Sequence, residues 1–389
     1  MGIYFGHGAE IVAVLLMVAA QVQIAKHAVS YAGRRWPAGQ ACVRASAGLV
    51  VAGVLTGLVL SFPEVSRLPL NARWFGYWRG GALLWAFSST GAWIVYRLLR
   101  LVRWRTSEID PARRSLLRAA GTAAITAPFA LIGFGALVER TAFRIREIDI
   151  PIPDLHPDLE GLRLAQISDI HLSPFLTEQE FARVVDAANE LRPNLTLVTG
   201  DLISVRGDPL DACLRQIACL RAGAGVIGCL GNHEIYAGTE VYTTAQAALL
   251  GIPFLRMQAR QLRFGRATVN IAGVDHQKMN RKSHYLRGAE RLIAPGSLNF
   301  LLSHNPDVFP VAAQQGWHLT LAGHTHGGQV NFEILSQDLN IARFYTPYVY
   351  GLYRSGRSSI YVTRGIGTIG MPARLGAPPE IALLRLRKA

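Results

Sequence analysis

The sequence predicts two parts: an α-helical membrane region over residues 1–144, then a soluble α/β domain over residues 145–389. Three observations carry this reading. Four apolar segments crowd into the first 140 residues, as membrane spans do and the helices of a soluble core rarely do. Beyond residue 145, short apolar runs alternate with amphipathic helical patterns. Five of those runs end in residue types that ligate metals.

Composition agrees with a membrane part. Half of the 389 residues are hydrophobic and the mean hydropathy is +0.22, high for a soluble enzyme. Residues 1–150 hold 17 Lys plus Arg against 7 Asp plus Glu, so about +10 of the +14 formal charge sits there. The half that carries the chemistry has no basic stripe with interleaved aromatics, and no nucleic-acid partner is expected.

The spans fall at about 8–25, 45–62, 80–97 and 117–138. The second is the cleanest. The first contains Gln21 and Gln23 and the third is short, which leaves both open to an interfacial-helix alternative. Basic residues set the orientation. Loop one carries Lys26, Arg34, Arg35 and Arg44, and loop three Arg100, Arg103, Arg105, Arg113 and Arg114, against Arg67, Arg73 and Arg79 in loop two. Loops one and three are then cytoplasmic and everything after residue 139 faces outward, although Arg140, Arg144 and Arg146 run against that bias. The pair Arg113-Arg114 reads either as a twin-arginine export signal or as ordinary anchoring, and both give the same orientation.

In the second part, 162–168, 195–200, 226–231, 298–303 and 318–323 read as buried strands, and 177–191, 209–221, 240–250 and 307–315 as helices. Thr177 and Glu180 are spaced as a capping box. The residues at or after the five strand ends include Asp169 and His171, Asp201, Asn232 with His233, His304, and His324 with His326. In an open α/β sheet the carboxyl ends of strands line one edge, so these side chains would converge. Taken singly, each is more often a turn or a core residue. Five in order are not. Imidazole, carboxylate and amide ligands suit Mn, Fe or Zn, and the absence of cysteine from the motifs argues against a thiolate zinc site.

The ordered set Asp169-x-His171, Gly200-Asp201, Gly231-Asn232-His233-Glu234, Ser303-His304-Asn305-Pro306-Asp307 and Gly323-His324-Thr325-His326-Gly327-Gly328-Gln329 resembles the calcineurin-like metallophosphoesterases over about residues 145–386. Ser303 to Asp307, the Gly-Gly-Gln extension, Val362 to Gly365 and Pro379-Glu380 resemble the membrane-associated bacterial branch, transmembrane proteins with a metallophosphoesterase domain. Some of its members are similar to enzymes that cleave the pyrophosphate of UDP-2,3-diacylglucosamine. The resemblance implies a four-layer α/β domain, a β-sandwich flanked by helices, with two divalent ions at the strand ends. Asp169, His171 and His326 would hold the first ion, Asn232, His304 and His324 the second, and Asp201 would bridge both. His233 would stay unliganded and stabilise phosphoryl oxygens or protonate the leaving group. Many relatives have Asp where this chain has Glu234, which puts the partner of that side chain in question.

The function implied is that of a membrane-anchored dinuclear phosphoesterase acting on a phosphodiester, pyrophosphate or phosphomonoester. It would sit in a bacterial inner membrane with its catalytic domain outside, and the anchor brings a lipid-linked substrate within reach. A nucleotide-sugar precursor would lie on the opposite, cytoplasmic side, so the arginine pattern and that specific substrate disagree. Two other classes stay open: a catalytically silent receptor or scaffold, and a regulator attached to a helical transporter or sensor. The complete ligand set weighs against the first, and the scarcity of charges within the spans against the second.

Asp208, Arg364 and Arg374 are weaker candidates, each arginine being a phosphate ligand or, more simply, a structural ion pair. His7, His27, His156, His276, His284 and His318 lack a motif and read as surface or structural. Cys42, Cys213, Cys219 and Cys229 do not settle the compartment.

Overall fold

The computed structural model describes residues 3–60, 72–101, 110–334 and 337–389. Arg67, Arg103, Arg105 and the last two residues of the second expected span lie outside the described residues. The chain separates into a helical unit, mostly residues 1–137, and a second unit, mostly residues 138–389.

The helical unit contains α1 (Ile3–Arg35), α2 (Gln40–Val59), α3 (Ala72–Leu101) and α4 (Pro111–Leu137). About 20 helical residues cross the hydrocarbon of a bilayer. All four helices are long and apolar enough to cross a membrane, α1 and α3 included. Their apolar surfaces face outward: Leu16, Leu49, Leu116 and Leu137 are exposed. Helices α1, α2 and α3 meet through Met17, Val54, Leu58 and Ala86. Gln21, the polar residue that clouds the first span, is buried and satisfied. Its amide nitrogen donates to Ser89 Oγ at 2.9 Å and its oxygen accepts from Trp85 Nε1 at 3.1 Å, as a polar group among apolar helices requires.

The second unit is built on two sheets. One runs β1 (Arg144–Ile152), β13 (Glu380–Lys388), β2 (Arg163–Ile167), β3 (Leu195–Thr199) and β4 (Val226–Cys229) in spatial order. The other runs β11 (Gly351–Ser355), β12 (Ser358–Val362), β8 (Leu319–Ala322), β7 (Leu298–Leu302), β6 (Ala267–Gly273) and β5 (Gln258–Phe264). Within them β2-β3-β4 and β6-β7-β8-β12 are parallel. Their carboxyl ends therefore share one edge in each sheet. A two-stranded piece pairs β9 (Asn331–Ile334) with β10 (Gln337–Asn340).

Leu164, Leu197, Ile227 and Leu384 from the first sheet share one core with Val269, Phe300, Leu302 and Leu321 from the second. Helices α5 (Glu178–Glu190) and α6 (Leu210–Ala218) cover the outer face of the first sheet through Phe181, Val185 and Ile217. Ala312 of α9 (Phe309–Gln315) and Trp317 pack with Ala272 and Leu301 of the second sheet. The result is the four-layer arrangement, with α7 (Asn232–Ala237) and α8 (Glu240–Leu249) completing the helices. Strands buried on both faces read as unbroken apolar runs, which is why β2, β3, β4, β7 and β8 stand out in the sequence. Helix α5 begins at the Thr177 capping box, where Thr177 Oγ1 accepts from Glu180 N–H at 3.2 Å and the Glu180 carboxylate accepts from Thr177 N–H at 2.7 Å.

Candidate metal centre

Asp169 follows β2, Asp201 follows β3, Asn232 and His233 open α7 after β4, His304 follows β7, and His324 and His326 follow β8. These ends meet across the two sheets. His326 Nε2 lies 3.3 Å from Asp169 Oδ1, His171 Nε2 lies 3.1 Å from His326 Nε2, and His304 Nε2 lies 3.0 Å from Asp201 Oδ2. Three overlapping sets of side chains could each hold an ion: Asp169, His171 and His326; Asp201, His304 and His324; and His171, Asp201 and His233. His233 thus offers itself to a cluster, beyond the unliganded place expected for it. Asn232 is buried at the start of α7.

The backbone at these positions turns sharply. Asp169, His171, Asp201, His324 and His326 have φ of 50°, 47°, 54°, 76° and 52°. Left-handed conformations at non-glycine residues cost about 1–3 kcal/mol each and persist where surroundings impose them. Here backbone and carboxylate bonds do so. Asp169 N–H donates to Gly200 O and His171 N–H to Asp201 O, each at 3.0 Å. Asp169 Oδ1 accepts from His324 N–H and Asp201 Oδ1 from His233 N–H, each at 2.9 Å. The Asp-x-His and His-x-His pairs thus present their side chains from left-handed turns, not from extended chain. Two glycines allow the close approach: a Cβ at Gly231 would collide with Asp201 Oδ1, and one at Gly323 with Asp169 Oδ2.

Hydrogen bonds at the far ring nitrogens fix the imidazoles. His304 Nδ1 lies 2.6 Å from Thr199 O, and His233 Nδ1 lies 2.6 Å from Ser204 O. A carbonyl only accepts, so both Nδ1 atoms carry the proton and Nε2 is left for the site. His171 Nδ1 pairs with Ser204 Oγ at 3.1 Å. Ser204, which the sequence did not single out, therefore braces two histidines at once.

Charge in this cluster is strongly coupled. Burial pushes the Asp169 carboxyl up to about 6 against the opposing pull of His304. Burial would raise Asp201 as well, but His304 and His233 outweigh it and hold that carboxyl well below its usual range. His304, which burial would lower, is carried up to about 10 by Asp201 and Asp169. Burial and His233 take His171 down to about 3. Two buried carboxylates ringed by imidazoles call for cationic charge. The donors fit divalent ions: Asn232 Oδ1 and Asp169 Oδ2 are buried with no hydrogen-bond partner among the described residues, and such acceptors are satisfied by a cation.

The remaining sequence candidates do other things. Glu234 is fully buried, and its carboxylate accepts from the N–H groups of Gly231, Asp201 and Leu202 at 2.7, 3.1 and 2.7 Å. Its partner is the loop that carries Asp201. Asp208 Oδ2 accepts from Ser204 and Val205 N–H at 2.9 Å and closes the turn bearing Ser204. Arg374 is fully buried and donates to the carbonyls of Gly367, Ala377 and Arg364 at 3.0, 2.9 and 2.8 Å. It is a clamp on backbone, in place of either role expected for it. The Arg364 guanidinium lies 4.2 Å from the Tyr350 ring centroid, with Nε 4.0 Å from Glu380. The cysteines are unpaired.

His276, read from the sequence as surface or structural, lies beside the cluster. It follows β6, and its ring centroid lies 5.6 Å from that of His324 and 6.2 Å from that of His304. Burial and the neighbouring His304 take it down to about 4. The signal was present: the apolar run 269–274 ends in Asp275-His276 just as the other runs end in ligand types.

Fold and cluster together define a metal-dependent phosphoesterase architecture. Residues 162–328 match the family Calcineurin-like phosphoesterase, and the chain belongs to it. It is 30% identical over 302 residues to the transmembrane protein with metallophosphoesterase domain of Danio rerio, covering 74% of this chain and 67% of that protein. To the bovine protein of the same name (Bos taurus) it is 28% identical over 312 residues, covering 75% and 68%. An uncharacterized metallophosphoesterase of Bacillus subtilis, YkuE, is 28% identical over 256 residues, covering 64% and 86%.

Proposed function

We propose that the protein is a membrane-anchored, dinuclear metal-dependent phosphoesterase. The observation that carries this is the convergence of Asp169, His171, Asp201, His304, His324 and His326 from both sheets into one cluster, buried but for the half-buried His324. In this reading Asp169, His171 and His326 would hold one ion and Asn232, His304 and His324 the other, with Asp201 shared between them. Mn, Fe and Zn suit these donors. When bound, such a pair activates water at neutral pH and neutralises the charge of a phosphoryl group in flight. The protein fixes the donors before substrate arrives, through Glu234 beneath Asp201 and Ser204 behind His171 and His233. His233 turns Nε2 to the substrate. In its imidazolium form that nitrogen hands a proton to the leaving oxygen.

The substrate class is a phosphodiester, pyrophosphate or phosphomonoester. A lipid-linked ester is favoured because only a short stretch of chain separates the end of α4 at Leu137 from the start of β1 at Arg144. The basic loops favour the domain on the extracytoplasmic face of its membrane. Protease added to spheroplasts should then cleave the domain, and protection from it would reverse the orientation.

The test of the activity uses full-length protein stripped of metal and reloaded with Mn, given a chromogenic phosphodiester and a phosphomonoester. Turnover of either that requires metal supports the hydrolase. Ion binding without turnover of these or of lipid phosphates supports the silent scaffold.

A further inference from the structure

We infer that His276 is a substrate-binding residue that donates a hydrogen bond to a phosphoryl oxygen on the His304/His324 side of the cluster. The inference rests on the phosphoesterase reading and adds a residue to its site.

The placement follows from the second sheet. Strands β6, β7 and β8 are parallel neighbours, and the segments leaving their carboxyl ends carry His276, His304 and His324. The three rings form a continuous set: His304 and His324 are 5.1 Å apart by centroid, and His276 adjoins both. His276 nevertheless stays outside the ion-holding groups, whose ligand atoms all lie within 4.8 Å of one another. It stands beside the second pair of imidazoles as His233 stands beside His171, at 4.8 Å.

The backbone around His276 is held on both sides. Asp275 takes a two-pronged ion pair from Arg256, at 2.8 and 3.1 Å. Gln277 O accepts from Asn305 Nδ2 at 2.6 Å, and Gln277 Oε1 accepts from Leu286 N–H at 3.1 Å. Asn305 directly follows His304, so the loop is tied to the ligand-bearing segment. Between these anchors, His276 Nδ1 is buried with no hydrogen-bond partner among the described residues. A buried imidazole nitrogen without a partner is unfavourable. A rigid loop that presents one beside a candidate metal site is arranged for a group that arrives later. An ester's phosphoryl oxygen is such a group, and a neutral imidazole has one N–H to give it.

The experiment measures orthophosphate binding by calorimetry, and metal content by elemental analysis, on Mn-loaded full-length wild type and on His276→Ala. Hydrogen bonds to charged groups are worth about 1.5–3 kcal/mol, so H276A should bind orthophosphate at least about tenfold more weakly. Its metal content should equal that of wild type. Should alanine destabilise the loop, His276→Phe keeps a ring there, removes both nitrogens and should show the same loss. Unchanged phosphate affinity in the folded variant overturns the inference, and so does loss of a metal equivalent, which would make His276 a metal ligand. Wild type that binds neither metal nor phosphate would sink the phosphoesterase reading itself, and this inference with it.

Discussion

Glu234 accepts the backbone N–H of Asp201 at 3.1 Å, across 33 positions of sequence. The same carboxylate takes the N–H groups of Leu202 and Gly231, so one buried side chain fixes the loop that aims the proposed bridging ligand. Glu234→Ala would leave three buried donors without an acceptor. At about 1–3 kcal/mol for each lost partner, the second unit should lose several kcal/mol, read as a large fall in melting temperature. Glu234→Gln keeps one acceptor oxygen and should fall between the two.

Arg374 should prove structural. Its donors are spent on carbonyls and burial lowers it to about 10. Arg374→Met should destabilise by about 3 kcal/mol or more, since it strands several buried acceptors. Arg374→Lys should recover little, because an ammonium cannot span the same fork of oxygens. Urea unfolding measures both. A stable Arg374→Met with weakened substrate binding would instead return this residue to a phosphate-binding role.

Much of this was legible beforehand. The five apolar runs with ligand types at their ends correspond to β2, β3, β4, β7 and β8 because strands buried on both faces have no polar alternation to blur them. Strand β5, Gln-Ala-Arg-Gln-Leu-Arg-Phe, lies at a sheet edge and is largely exposed, so its composition carries no such signal. Strand β13 is apolar and buried, yet nothing local says that the end of the chain inserts between β1 and β2. The left-handed backbone at Asp169 and Asp201 was equally hidden. It is imposed by bonds to residues distant in sequence, not by a glycine at those positions.

Gly231→Ala tests the close packing of the loops. A methyl there would meet Asp201 Oδ1, so Asp201 must shift. Metal content should fall by at least one equivalent while the circular dichroism of the fold is kept. Full metal content in a folded Gly231→Ala would mean the loop tolerates the displacement.

His318 supplies a pH dependence away from the candidate metal cluster. Its Nδ1 accepts the N–H of Asn299 at 3.0 Å, which requires the neutral ring. Burial lowers its pKa, with Arg357 adding to the effect. A depressed folded-state value means the unfolded chain takes up the proton first. This stabilising contribution is therefore complete above the unfolded value of about 6.5 and is lost as pH falls below it. His318→Asn offers an amide oxygen that does not titrate. The variant should lose less stability than wild type between pH 7 and 5, and parallel curves would show that the ring does not titrate on unfolding.

The most direct measurement counts metal and turnover together in full-length wild type and Asp201→Asn, stripped and reloaded with Mn. Wild type is expected to hold two equivalents and to hydrolyse a phosphate ester only when loaded, while Asp201→Asn holds fewer and loses at least about a hundredfold in rate, the scale of a lost electrostatic contributor. Two equivalents with full turnover in Asp201→Asn would contradict the bridging role at the centre of the site. Metal-independent turnover in wild type would contradict the dinuclear reading altogether.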